Sequence, residues 1–94
     1  MNETLTAFLR DVKIGDVYVM TWHKFGAPKL IGKPRKIIGK QSKGLIFESE
    51  ISALGSFLTF HRAADYRAMP NGFQVWENGE PLMKYEKVDV SEVR

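Results

Sequence analysis

Leu5, Phe8, Leu9 and Val12 recur at i, i+3, i+4 and i+7 within ETLTAFLRDV, the spacing that collects apolar side chains on one face of a helix. A short amphipathic helix is predicted within residues 1–13, with Glu3 near the end where a negative charge is favoured. Its apolar face is expected to cover one open end of a core; a docking helix for a partner is the rival reading. Ile14-Gly15-Asp16 breaks the period, and from Val17 it becomes two, with Val17 and Val19 alternating with Tyr18, Met20 and Trp22. That is a strand pattern. Apolar residues on both sides predict either a central strand or an exposed ligand surface built from Tyr18, Met20 and Trp22.

Residues 23–34 carry Gly26, Pro28, Gly32 and Pro34 and read as a long connection. Two apolar runs follow, Arg35 to Lys40 and Gly44 to Ile51, joined by Gln41-Ser42-Lys43-Gly44, a link of hairpin length. Glu48 and Glu50 share a face of the second run, and cross-strand pairing with Arg35, Lys36 or Lys40 would add at most about 1 kcal/mol. Phe57 to Phe60 suggests a fourth strand, while residues 48–54 also suit a helical turn. His61 to Met69 is rich in helix formers and stops at Pro70-Asn71-Gly72, which predicts a short helix near residues 61–68. Phe73 to Glu77 alternates, Asn78-Gly79 is a strong hairpin turn signal, and Pro81 to Val88 returns as the partner. If Phe73 and Val75 point inward, Gln74, Trp76, Lys84 and Glu86 form an outward contact patch.

The expected fold class is α+β, mainly β: a small, strongly curved antiparallel sheet or SH3-like barrel of about five to six strands. The SH3-like label is an analogy of size and strand order and carries no function. The chain reads as one domain, residues 1–94, with a helix in 1–13, a β-rich core over 15–88 and a tail over 89–94. Its 44% hydrophobic and 12% aromatic content suits a buried core. The absence of cysteine excludes a disulfide framework and thiolate metal sites. The N-terminal MNETLTAFLRD has acids where a secretory leader needs basic and then apolar residues, so a cytoplasmic setting is expected. No apolar run approaches the ~20 residues of a membrane span, and no membrane partner is expected.

Charge changes this picture. The stretch from Lys24 to Lys43 carries Lys24, Lys29, Lys33, Arg35, Lys36, Lys40 and Lys43 and no acid. The chain's net charge is +3; taking away this +7 segment leaves −4. The segment resembles a phosphate-binding loop in having Gly32, Gly39-Lys40 and Ser42, but six residues separate the glycines where four are needed, and Gln41 parts Lys40 from Ser42. His61 and Asp65 stand at i, i+4, which supplies two ligands where catalytic zinc takes three, with His23 a remote third. Glu48, Glu50 and Asp65 show no sequence sign of the burial that makes a carboxylate an acid or base. Nor does any serine sit in a nucleophile elbow. The expectation is a non-enzymatic protein without metal or cofactor.

What the segment does suit is anion binding. Lysines that neutralise phosphates beside Trp22 and Phe25, on which bases can stack, are the materials of a nucleic-acid interface. The expected site is therefore Lys24, Lys29, Lys33, Arg35, Lys36, Lys40 and Lys43 with Trp22 and Phe25, and the expected partner DNA or RNA, bound without sequence preference. The alternative is a regulator or inhibitor docking this face on an acidic protein surface. The preponderance of lysine over arginine favours phosphate neutralisation. An edge strand or the N-terminal helix also offers a surface for a homodimer.

Overall fold

The protein is described here by a computed structural model covering residues 4–26, 28–49 and 53–88. Thr4 opens helix α1, Leu5–Asp11, by accepting the Ala7 amide on its hydroxyl at 3.1 Å, the usual N-cap bond of a threonine. Leu5, Phe8, Leu9 and Val12 are all buried, as their spacing requires. Seven strands follow: β1 Val17–His23, β2 Pro34–Gln41, β3 Gly44–Phe47, β4 Ser56–Thr59, β5 Tyr66–Met69, β6 Gly72–Glu77 and β7 Glu80–Val88. They form one sheet in the order β4-β3-β2-β1-β7-β6-β5, with every neighbouring pair antiparallel. Among the described residues the fold is mainly β with one short N-terminal α-helix.

Among the described residues the sheet is open, with β4 and β5 at its two ends, so of the two expected forms, a curved antiparallel sheet or a barrel, the closed barrel is not seen. It is nevertheless bent. Phe47 of β3 stacks on Tyr85 of β7 with ring centroids 5.5 Å apart, although β2 and β1 lie between those strands; in a flat sheet the separation would be about 14 Å. Phe60, just beyond β4, likewise reaches Phe73 of β6 at 5.9 Å. Phe8 of α1 lies against Phe60, Tyr66 and Phe73, so the helix covers the aromatic core between the two bent halves. Edge-to-face rings of this kind add about 0.5–1.5 kcal/mol per pair beyond their burial.

The strand count exceeds the expected five to six because residues 61–68 are not a helix. Only Ala63–Asp65 form a turn of 3₁₀ helix, braced by Asp65 Oδ2 accepting the Arg62 amide at 3.0 Å. Tyr66–Met69 then pairs with β6, Tyr66 opposite Val75 and Met69 opposite Gly72. Burial of Tyr66 against Phe8 and this ladder outweigh the helix preference of alanine, methionine and arginine, as tertiary context commonly does. The second run of the first hairpin is also shorter than expected: β3 ends at Phe47. The Glu48 amide still donates to the Lys36 carbonyl at 2.8 Å. Glu3, Glu50, Ile51 and the 89–94 tail lie outside the described residues. The Asn78-Gly79 turn joins β6 to β7 as anticipated, with positive φ of 53° and 78°, the backbone of a type I′ hairpin.

Candidate nucleic-acid interface

Strand β1 positions the site. Tyr18 and Met20 point into the core and are buried, and Met20 stands opposite Tyr85 of β7. A bulge then shifts the register, so that Trp22 stands opposite Lys84. Because Tyr85 faces inward and Lys84 its neighbour faces out, this one irregularity turns Trp22 to the outer face. The alternation expected to keep Tyr18, Met20 and Trp22 on one side therefore fails at Thr21, and Trp22 is 38% exposed.

The register continues across the sheet. Trp22 of β1 pairs with Lys84 of β7, Lys84 with Gln74 of β6, and Gln74 with Arg67 of β5. Four consecutive strands thus place Trp22, Lys84, Gln74 and Arg67 in one row about 14 Å long. Phe73 and Val75 are buried, which leaves Gln74 and Trp76 on the outer face, the condition set for an outward patch. The Lys84 ammonium lies 5.5 Å from the Trp22 ring centre, and the Arg67 guanidinium 4.2 Å from that of Trp76. Both of the chain's tryptophans therefore occupy this face, each under a cation. Trp76 Nε1 donates to Gln74 Oε1 at 2.9 Å, and Gln74 Nε2 donates to Met69 Sδ at 3.1 Å. Arg67 was not among the residues expected here, because a helix over 61–68 gave no reason to align it with Gln74.

The seven basic residues of the 24–43 segment are dispersed. The end of the 24–33 loop folds back along β1 on the side away from β7: Ile31 bridges Met20, and the Gly32 amide donates to the Met20 carbonyl at 2.9 Å, whereas at its start the Lys24 amide donates to the Leu82 carbonyl of β7 at 2.8 Å. Lys29 and Lys33 are exposed on this loop, beside the Trp22 half of β1. Lys24 Nζ donates to Glu80 Oε2, and this partner holds the Glu80 carboxyl below its ordinary range. Phe25 is 76% exposed, with its ring 5.9 Å from His23 and 5.6 Å from the Lys24 ammonium.

Lys36 is exposed on the outer face opposite Val17. Arg35 stands opposite the buried Tyr18 instead. Its guanidinium lies 5.3 Å from the Phe47 ring centre and donates to the Glu48 carbonyl at 3.4 Å from two nitrogens. The acid–base contact expected between this strand and Glu48 is thus made to the backbone, and the Glu48 carboxylate joins no ion pair among the described residues. Lys40 Nζ donates to the carbonyls of Leu9 and Val12 at 2.9 and 2.6 Å. Lys43 sits in the β2–β3 turn, at the far end of a strand about 23 Å long from the loop. Trp22 and Lys36 share the outer face and Lys29 and Lys33 are exposed on the adjoining loop, whereas Arg35 and Lys40 turn to Phe47 and α1, Lys43 lies in the far turn, and Lys24 and Phe25 stand at the β7 end of the loop.

No group of three His, Cys, Asp or Glu side chains suited to a metal occurs among the described residues. Asp65 is engaged with the Arg62 backbone rather than with His61. No described helix is long and apolar enough to cross a membrane. No family model, no curated protein and no solved structure matches the chain.

Proposed function

We propose that this chain is a small non-enzymatic binding module whose outer sheet face and 24–33 loop contact nucleic acid through sequence-independent, phosphate-directed charge. The observation that carries the proposal is the placement of both tryptophans on one outer face, each beneath a cation, next to a loop bearing Lys29 and Lys33. Exposed aromatic and basic groups together supply stacking and charge neutralisation, the two terms that dominate such binding. Lys36 extends the cationic side along β2. Arg35 and Lys40 serve the fold through Phe47 and α1. A cytoplasmic protein without cofactor fits this role.

The test is a titration of a labelled oligonucleotide at about 50 and 200 mM salt. Three phosphate contacts on a single strand give a logarithmic salt slope near −2. Reversing Lys29, Lys33 and Lys36 to glutamate together flattens it. Absence of binding at the lower salt overturns the proposal.

A second reading, docking on another protein, draws on a different surface. Leu54 and Phe57 are 77% and 55% exposed, Phe57 stands opposite Ile46 on β3, and β4 is an edge. Exposed apolar residues on an unpaired edge suit a protein partner or a second copy of the chain. Recovery of a stoichiometric protein partner whose binding is lost on Phe57→Lys supports this reading.

A further inference from the structure

We propose that the ligand is single-stranded and that its bases stack along the Trp22–Lys84–Gln74–Arg67 row and on Trp76. This deepens the nucleic-acid reading and rests on it. A duplex already covers the faces of its bases by stacking them on one another, so exposed rings on a protein gain little from it. Unpaired bases have free faces and use such rings. The row is built on four hydrogen-bonded strands, so its side chains are held at spacings the backbone sets, which lowers the ordering cost of binding. At ~14 Å it spans about four base-stacking distances of 3.4 Å.

The side chains are also held in place before any ligand arrives. The Arg67 guanidinium carbon lies 4.2 Å from the Trp76 ring centre, and a planar guanidinium can present a further face to a base or its edge to a phosphate. Lys84, with Trp22 on one side and Gln74 on the other, places a positive charge in the middle of the row. The Gln74 amide is turned to Trp76 and Met69, so the one side chain in the row able to read a base edge through paired donor and acceptor is already engaged. Recognition led by stacking and charge rather than by an amide reading base edges follows from that. The row contains no acid; the nearest acid on β7 is Glu86, two residues from Lys84.

The experiment uses the full chain, a labelled 12-nucleotide single strand, and the same sequence as a blunt duplex, at about 100 mM salt. Tighter binding of the single strand by about ten-fold or more is expected. So is loss of about ten-fold in single-strand affinity in Trp22→Leu, with the salt slope unchanged because no cation is removed. Arg67→Lys, which keeps the charge but not the planar stacking group, weakens the single strand while leaving the slope as it was. Equal binding of strand and duplex, or a Trp22→Leu protein that binds like the wild type, overturns the stacking proposal and leaves charge-directed binding standing. Binding of neither overturns both. Urea unfolding of each variant separates a lost contact from a lost fold, and Trp76→Phe, which keeps a ring beneath Arg67, retains most of the affinity.

Discussion

Lys40 Nζ lies 2.6 Å from the carbonyl oxygen of Val12, the residue that ends α1, and 2.9 Å from that of Leu9. A strand lysine thus supplies donors to carbonyls that the last turn of a helix leaves without partners, and its charge meets the negative end of the helix dipole.

Lys40→Met is therefore expected to lower stability by about 1.5–3 kcal/mol, the range of hydrogen bonds to a charged group. Urea denaturation checks this. The same substitution is expected to leave the salt dependence of oligonucleotide binding unchanged, in contrast to reversal of Lys29, Lys33 and Lys36.

Glu80→Gln removes the carboxylate that engages Lys24. A freed ammonium next to Phe25 adds one cation to the loop, so oligonucleotide affinity at low salt is expected to rise severalfold and the salt slope to steepen by somewhat less than one. Fluorescence anisotropy at several salt concentrations measures both.

Gly72→Ala would press a methyl group into the Tyr85 carbonyl on the neighbouring strand. A backbone oxygen cannot swing aside as a side-chain end can, and a loss of about 1–3 kcal/mol is expected from the forced shift. Gly26→Ala is the control: no atom stands near the added carbon there, and only the positive φ of 89° opposes it, at roughly 1 kcal/mol.

Burial raises the Tyr85 hydroxyl above its ordinary pKa, with the nearby Arg35 charge opposing the shift in part. Above about pH 10, where a phenol in the unfolded chain ionises, the unfolded state holds fewer protons than the folded one, so stability falls as pH rises. The stabilisation is fully present below that pH. Tyr85→Phe is expected to flatten the alkaline decline, measured by urea midpoints between about pH 9 and 11.

Local patterns carried much of this fold. The helix stripe from Leu5 to Val12, the alternation through Met20, and Asn78-Gly79 between two strands each encode their outcome within a few residues. The features that shape the site are not local. The bulge beyond Met20 is defined by its partner strand, and nothing in Val17 to His23 marks where alternation breaks. β5 forms because Tyr66 finds Phe8 and Val75 across the chain, against the propensity of its own residues. Lys40 looks like any other cation in a basic run until α1 is folded against it. Charge counting located the segment, but only the register separates Lys36 from Arg35 and aligns Arg67, distant in sequence, with Trp22.

The most direct test is an NMR titration of the ¹⁵N-labelled chain with a single-stranded 12-mer. Two tryptophans give two indole N–H signals, one from β1 and one from β6. The expected result is movement of both, together with amides of β1, β7 and the 24–33 loop, while the β2–β3 turn at Ser42-Lys43 and the β4 edge stay in place. Two unmoved indoles with shifts confined to that turn or to Ser56–Thr59, or no shifts at all, contradict the account.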